Sequence, residues 1–413
     1  MAVWSPQQDL ALRSVRDWLR AGPGAPQVFR LFGYAGTGKT TLARHLAEDL
    51  RNPLFAAYTG KAAHVLRQKG CENASTIHSL IYHTRDKSKT RLREIEAQLA
   101  ALLLDLRRSG ASDAQVDEHR RVRDLREMLQ REHAALSQPA FNLNPDSVAR
   151  SSDLVIIDEC SMVDGRMGED LLSFGTRVLV LGDPAQLPPV MGGGFFTEGS
   201  SPDIMLEEIH RQAAESPIIR LATEVRQGGT PSLSQERECR VIDVEDMTTE
   251  LALSADQLLV GRNKTRHNYN RRVRHLLGRA RVDAPEPGDK LVCLRNNHEK
   301  GLLNGAVWHA RGVGAVTEHR VYMEVAPEDG GETLEVEAHR HHFAGDGDQM
   351  AWWERREAEE FDYGYAMTVH KAQGSQWSNV LLFDESWVFR ADRHRWLYTG
   401  ITRAAEQLTV VRM

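Results

Sequence analysis

Short, nearly unbroken apolar runs alternate along this chain with stretches in which apolar residues recur every three or four positions, which predicts strands and helices in turn. Val28-Phe29-Arg30-Leu31-Phe32 reads as a buried strand and Thr41 to Leu50 as a helix, with a glycine-rich turn, Gly33 to Thr40, between them. Leu54 to Tyr58, Leu154 to Ile157 and Val178 to Leu181 read as further buried strands of the same α/β layer. In the second half, Gln257 to Val260, Val380 to Phe383 and Leu408 to Val411 read as the strands of another. Near the start, Ser5-Pro6-Gln7-Gln8 has the form of a helix beginning, with Ser5 as N-cap and Pro6 at the first helical position.

Two stretches depart from this alternation. From about Arg85 to Ser137, Leu92, Ile95, Leu99, Leu102 and Leu106 and then Val122, Leu125, Leu129 and Leu136 follow the seam of a coiled coil. Ser109 to Asp113 is the turn between the two runs, and Ser112 and Gln115 have capping-box spacing, so a helical hairpin is predicted. After Pro285-Glu286-Pro287-Gly288, short alternating segments at Lys290 to Leu294, Ala306 to Ala310, Arg320 to Val325 and Thr333 to Glu337 suit a small β-barrel. Asn304-Gly305 supplies a hairpin turn.

Composition narrows the function. A chain of 413 residues divides into two or more domains. With 52 basic and 58 acidic residues the net charge is −6, so any nucleic-acid contact has to be a local patch rather than overall attraction. Cys71, Cys160, Cys239 and Cys293 are scattered and form no C-x-x-C pair, which suggests neither a zinc site nor a disulfide framework and suits a reducing compartment. The first residues lack a basic-then-apolar signal region, and no apolar run approaches the roughly 18 residues of a membrane span. An intracellular, soluble protein with no membrane partner is the expectation.

The chemistry begins at Gly33-Tyr34-Ala35-Gly36-Thr37-Gly38-Lys39-Thr40, a complete G-x-x-x-x-G-K-[ST] phosphate loop between a strand and a helix. Gly36 and Gly38 leave room for the backbone to wrap a polyphosphate, and Thr37, Lys39, Thr40 and Thr41 bring the helix-start N–H groups to it. Lys39 would reach the β- and γ-phosphates of ATP, and Thr40 would hold magnesium. Gln8 is a candidate adenine reader, since an amide both donates and accepts. Asp158 and Glu159, at the end of a buried strand, divide the work: Asp158 positions magnesium and Glu159 orients and deprotonates the attacking water. Gln186, in Gly182-Asp183-Pro184-Ala185-Gln186-Leu187-Pro188-Pro189, is placed to feel the γ-phosphate. Thr59 and Lys61 in one loop, and Thr76 and His78 in another, offer sequence-neutral donors that suit sugar and phosphate contacts. The run from Arg262 to Arg281 is basic and could track phosphates, and Trp352 and Trp353 could stack bases, although a solvated helix face and a packed seam are competing uses. His339, His341 and His342 have no acidic or cysteine partners at ligand spacing, which argues against a metal.

Taken in order, these residues resemble the superfamily 1 helicases of the RecD and Dda type (superfamily 1B). SPQQ resembles the family's adenine-reading motif, GYAGTGKT its motif I, TGKAA and STIH its motifs Ia and Ib, DECS its motif II and GDPAQLPPV its motif III. His210-Arg211-Gln212 resembles motif IV, Thr368 to Gln376 motif V, and Tyr398 to Ala404 motif VI. The resemblance implies that Lys39, Thr40, Asp158, Glu159, Gln186, Arg211 and Arg403 serve ATP hydrolysis, the two arginines as fingers on the transferring phosphoryl group. It implies further that Thr59, Thr76, His78, Thr368, His370 and Lys371 line a single-strand groove. The implied fold is α/β: two RecA-like P-loop motor domains, a helical-hairpin insertion in the first and an SH3-like β-barrel insertion in the second. The boundaries would be 1–84 with 139–200 for the first motor domain, 85–138 for the hairpin, 201–284 with 351–413 for the second motor domain, and 285–350 for the barrel. Relatives carry a small β-hairpin pin where this chain has the helical hairpin, and many have glutamate at the position of Gln376. The implied activity is ATP- and Mg2+-dependent translocation on single-stranded DNA, 5′-to-3′, with unwinding of tailed duplex DNA by a monomer, and the hairpin could recruit a protein partner. An RNA-directed motor and an ATP-gated single-strand-binding protein without unwinding are the alternatives, while a nuclease lacks a further carboxylate cluster.

Overall fold

The computed structural model describes residues 4–22, 24–84, 90–109, 115–116, 119–137, 141–188, 194–197, 199, 201–209, 215–279, 281–297, 300–328, 330–345 and 357–413. They form two compact units, the larger comprising 1–81, 145–349 and 358–413, the smaller 82–144 with 350–357.

The larger unit is built on two six-stranded sheets and one five-stranded sheet. In the first, the strands lie in the spatial order Ser75–Thr76, Pro53–Ala57, Leu154–Asp158, Val178–Gly182, Val28–Gly33, Ile204–Leu206, and all pair in parallel. A parallel sheet is covered on both faces, which is why Leu154 to Ile157 and Val178 to Leu181 are apolar at every position rather than alternating. Leu154 to Ile157 and Val178 to Gly182 are buried throughout. One covering helix, Pro6–Arg20, starts as expected: the Ser5 hydroxyl accepts from Gln8 N at 3.3 Å and Ser5 N donates to Gln8 Oε1 at 3.0 Å. Such a reciprocal cap satisfies two orphan donors of the first turn. Ala11, Leu12, Val15 and Trp18 then face a core shared with Leu42 and Leu46 of the Lys39–Ala47 helix.

The second sheet runs Ala366–Thr368, Gln257–Val260, Trp377–Asp384, Ala404–Arg412, Cys239–Asp243, Ser234–Gln235, parallel except for the last pair. One face packs on Leu221, Val225, Trp396 and Leu397, and the other, through Phe383, on Val273 of the Asn263–Leu276 helix. Fully buried Trp396 and Tyr398 lie on the Arg393–Ile401 helix.

The third sheet is antiparallel, in the order Leu334–His339, Arg320–Pro327, Val307–Val316, Lys290–Cys293, Phe361–Tyr363. It closes on itself, because His339 N donates to Glu359 O at 2.9 Å and Glu359 N to Glu337 O at 2.7 Å. Closure removes the exposed edges of the ladder. Two expected boundaries move. Phe361–Tyr363 belongs to this small sheet and not to the second motor domain, and Ile204–Leu206 pairs with Val28–Gly33 in the first sheet although it lies beyond residue 200. Both strands are three residues long, too short to show a period.

In the smaller unit the helices Thr90–Arg108 and Arg120–Ser137 pack on one another, above a short antiparallel ladder between Tyr82–Thr84 and Phe141–Leu143. Ile95, Val122 and Leu125 are buried, and Leu99, Leu102, Leu106 and Leu129 half-buried, so the seam predicted from spacing is the seam observed. The side chains of Leu92 and Leu136, and the Ser112 cap, lie outside the described residues.

Candidate functional site

Adjacent strands of the first sheet, Leu154–Asp158, Val178–Gly182 and Val28–Gly33, end side by side, and in a parallel sheet the crevice beyond the carboxyl ends is where ligands bind. A cleft there is lined from the first sheet by Ala35, Lys39, Thr40, Asp158, Glu159, Asp183 and Gln186. Gly374, Ser375, Gln376, Thr402 and Arg403 line it from the second.

The phosphate loop is wound as its glycines allow. Gly36 and Gly38 have φ of 79° and 80°, the left-handed region that costs glycine little. At Gly38 the restriction is double, because a Cβ would stand 2.9 Å from Gln8 Nε2. That amide donates to Thr37 O at 3.0 Å, so Gln8, 3% exposed, braces the loop from beneath. Its cap and brace bonds each use one of two valences on their atoms, leaving one lone pair and one N–H. Lys39 Nζ donates to Gly33 O at 2.6 Å and Tyr34 O at 3.1 Å, bonds that a phosphate oxygen would replace. Thr41 is exposed and turns away from this cleft, into a neighbouring groove with Trp4, Asp9 and His45.

Thr40 Oγ1 donates to Asp158 Oδ2 at 2.9 Å, so the two residues read from separate motifs meet. Asp158 Oδ1 accepts from Glu159 N at 2.9 Å. Glu159 itself is left-handed, φ 53° and ψ 46°, a strained state for a non-glycine residue that aims its carboxylate into the cleft. Burial holds its pKa above the ordinary carboxylate value against the pull of Arg403. A raised pKa suits a proton acceptor that must release its proton again. Gln186 is 8% exposed, and its Oε1 finds no hydrogen-bond partner among the described residues. A buried, unpaired amide oxygen costs free energy unless something docks on it, which points to a ligand or an ordered water.

From the second sheet, Arg403 is 5% exposed and donates from Nε to Thr399 O at 3.0 Å and from Nη1 to Ser375 O at 3.2 Å. Arg211 lies outside the described residues.

The residues expected on a single-strand groove divide. Thr59 caps the Gly60–Gln68 helix through Ala62 N at 3.1 Å. Thr76 is 7% exposed, its hydroxyl spent on Ser79 N and Ser79 Oγ at 3.1 and 2.9 Å, and Lys61 is also 7% exposed. Thr76 and Lys61 are therefore little exposed as placed, and the Thr76 hydroxyl before a helix serves as a cap. His78 is half-buried edge-on to Tyr58 at 6.1 Å. Thr368 Oγ1 accepts from Lys371 N at 3.3 Å, and the His370 ring packs 5.2 Å from Phe389. Burial and neighbouring Arg266 bring Lys371 down to about 8. The basic run is also partly internal. Arg274 and Arg279 bind Asp289 at 3.0 and 2.8 Å and Arg266 binds Asp362 at 2.6 Å, while Arg262, Lys264, Arg271, Arg272 and Arg281 are exposed. Trp352 and Trp353 lie outside the described residues.

Several functional residues were missed. Tyr398 OH donates to Asp183 Oδ2 at 2.6 Å and accepts from Ala35 N at 2.9 Å, and Leu187 N donates to Thr399 Oγ1 at 2.9 Å. The Arg226 guanidinium stands 3.5 Å over the Tyr34 ring. Tyr398 and Asp183 lie within segments already singled out, but pairings across sequence separations of this kind carry no signal in one sequence.

Residues 23–245 match the AAA domain family and residues 363–411 the UvrD-like helicase C-terminal domain. The ATP-dependent RecD2 DNA helicase of Deinococcus radiodurans is 30% identical over 281 residues, 62% of this chain and 36% of that protein. The conjugal transfer protein TraA of Rhizobium radiobacter is 26% identical over 295 residues, 62% of this chain and 24% of that one. The chain thus spans about a third or less of the curated relatives it matches. Among solved structures, the Pif1 helicase from Bacteroides in complex with ADP-AlF3 and ssDNA has a TM-score of 0.53 at 16% identity, covering 99% of this chain and 92% of that one. The Pif1 helicase from Candida albicans has a TM-score of 0.51 at 18% identity, covering 100% and 94%.

Proposed function

The chain belongs to the AAA domain family, and on that premise we propose that it is a superfamily 1 helicase of the RecD and Pif1 kind, an ATP-hydrolysing motor that moves on single-stranded DNA and opens duplex ahead of it. One observation carries this reading: Lys39, Thr40, Asp158, Glu159 and Gln186 face Arg403 across a cleft whose walls belong to different sheets. A nucleotide bound there would touch both lobes, so the charge and geometry changes of hydrolysis would alter how they are held together.

In the proposed division of labour, Lys39 leaves its loop carbonyls for the β- and γ-phosphates, and the N–H groups from Gly36 to Thr41 cradle them. Thr40 and Asp158 hold Mg2+. Their two hard oxygens, 2.9 Å apart, fit an ion that takes its remaining ligands from phosphate and water. Bound magnesium would neutralise phosphate charge. Glu159 orients and deprotonates the water, Gln186 accepts from that water through its free Oε1 and turns its amide N–H to the γ-phosphate, and Arg403 with Arg211 offsets charge on the phosphoryl group in flight. Gln8 presents its spare valences to adenine. Thr59, His78, Thr368, His370 and Lys371 contact the single strand.

The finer proposals follow the family. Movement is 5′-to-3′ on a protein acting as a monomer inside the cell, the closed antiparallel sheet is an SH3-like insertion, and the helix pair of residues 85–138 meets the fork or a protein partner. Duplexes bearing either a 5′ or a 3′ single-stranded DNA tail, with ATP and Mg2+, test the reading. Unwinding of the 5′-tailed substrate alone, abolished in Lys39→Ala, is expected; ATP turnover that survives in Lys39→Ala would overturn the site assignment.

A further inference from the structure

We propose that Trp387 and Arg262 form a stacking platform for an unpaired nucleobase, a contact beyond the residues assigned above. Trp387 lies in the irregular Ser386–Asp392 segment that follows the Trp377–Asp384 strand, and at 58% exposed it is the most open aromatic side chain among the described residues. Exposed apolar residues are common one at a time and mean little alone. This one is braced: the Arg262 guanidinium carbon stands 5.4 Å from the centre of the indole.

The brace is itself fixed. Fully buried Glu385 accepts from Arg262 Nε at 2.7 Å, Thr265 Oγ1 at 2.7 Å, Gly261 N at 2.8 Å and Arg262 N at 3.1 Å. Taking a carboxylate wholly out of water is costly and is recovered here by bonds that set the direction of one arginine. Arg390, three residues beyond the tryptophan, has φ 45° and ψ −105°, so the segment is held in a conformation its sequence does not favour. With Arg262 against it, the indole remains largely open to solvent.

The setting selects the occupant. Phe389 stacks on Trp396 at 5.3 Å and packs against the His370 ring at 5.2 Å, which joins the segment to the Thr368 to Lys371 loop, at the end of a strand two places away in the sheet. Exposed cations Lys264 and Arg390 belong to the same two chain segments as the pair, and exposed Arg395 to the helix that follows. A flat aromatic face with a cation at hand, among further cations, complements a base with its phosphates, and stacking of this kind accepts any base.

This inference rests on the single-strand motor reading, and one set of measurements separates the two. Binding of an oligo-dT strand is measured for wild type, Trp387→Phe, Trp387→Leu and Trp387→Ala, together with ATP turnover without DNA. Loss of one stacked base corresponds to about a 5- to 100-fold weaker complex for the alanine variant, with phenylalanine close to wild type, leucine close to alanine, and DNA-free turnover unchanged. A 5-iodouracil oligonucleotide should photocrosslink at Trp387. Wild-type binding with Trp387→Ala within twofold of it, or leucine serving as well as phenylalanine, overturns the platform alone. Failure of the wild-type protein to bind the strand at all overturns the motor reading and the platform together.

Discussion

The Tyr398 hydroxyl donates to Asp183 Oδ2 at 2.6 Å, across the cleft and across the two sheets. The same oxygen accepts from Ala35 N in the phosphate loop, so one buried phenol ties the second lobe to two segments of the nucleotide site. Removing it leaves a buried carboxylate oxygen and a backbone N–H each short of a partner. Tyr398→Phe should therefore lower stability by about 1–3 kcal/mol, seen as a drop in thermal midpoint. The midpoint gain on adding nucleotide should shrink as well, because the lost bond held the loop in register. An unchanged midpoint and an unchanged gain would show the hydroxyl to be dispensable.

Lys371 titrates at about 8 because its ammonium is partly desolvated and faces Arg266. A lysine lowered in this way is charged below that value and neutral above it, while a phosphate contact requires the charge. Single-strand affinity should consequently fall as the pH rises from 7 to 9, by at most about tenfold per unit for one proton. Lys371→Arg, which stays charged, should hold its affinity over the range, and binding titrations at fixed salt decide. A decline that persists in the arginine variant would assign it to another group.

Parallel strands announced themselves, and contacts between distant segments did not. Leu154 to Ile157 is apolar without interruption because both faces of its sheet are covered, and the seam from Ile95 to Leu129 repeats often enough to reveal its period. Phe361–Tyr363 and Ile204–Leu206 are too brief to do so, and ladder bonds alone assign them to their sheets. The site divides likewise. Thr40 and Asp158 were legible because loop chemistry fixes which residue types a phosphate and its metal require. The burial of Lys61 and Thr76 was not legible, because a threonine before a helix does structural work as readily as binding work. Tyr398 and Arg226 act through partners hundreds of positions away, a pairing that side-chain chemistry permits and sequence order hides.

The smaller unit has its own apolar seam and a closing ladder from Tyr82 to Leu143. Excision of residues 89–136 with a short flexible link should therefore leave the larger unit folded, because none of the cores around the cleft draws on those helices. DNA-stimulated ATP turnover is expected to stay within about twofold, while unwinding of tailed duplex falls. Equal unwinding by the shortened protein, with equal recovery of any bound protein, would remove both roles proposed for the helix pair.

Glu159 provides the sharpest separation of binding from chemistry. Its carboxylate must be ionised to accept the proton of water, and burial keeps its pKa above the ordinary value. Turnover should therefore decline as the pH is lowered, starting at a higher pH than for an exposed glutamate, and be restored on return to neutrality. Glu159→Gln keeps the shape and removes the base, so kcat should fall about 10²- to 10⁴-fold. Nucleotide affinity should hold, because Lys39 and the loop N–H groups are untouched and the charge lost is one that repels phosphate. The variant would then retain nucleotide in the cleft, and trapping assays with radiolabelled ATP would find it still bound as triphosphate. Release as diphosphate at the wild-type rate would move the proton acceptor elsewhere. Gln186, whose buried Oε1 finds no partner among the described residues, cannot take that part, because an amide does not accept a proton near neutral pH.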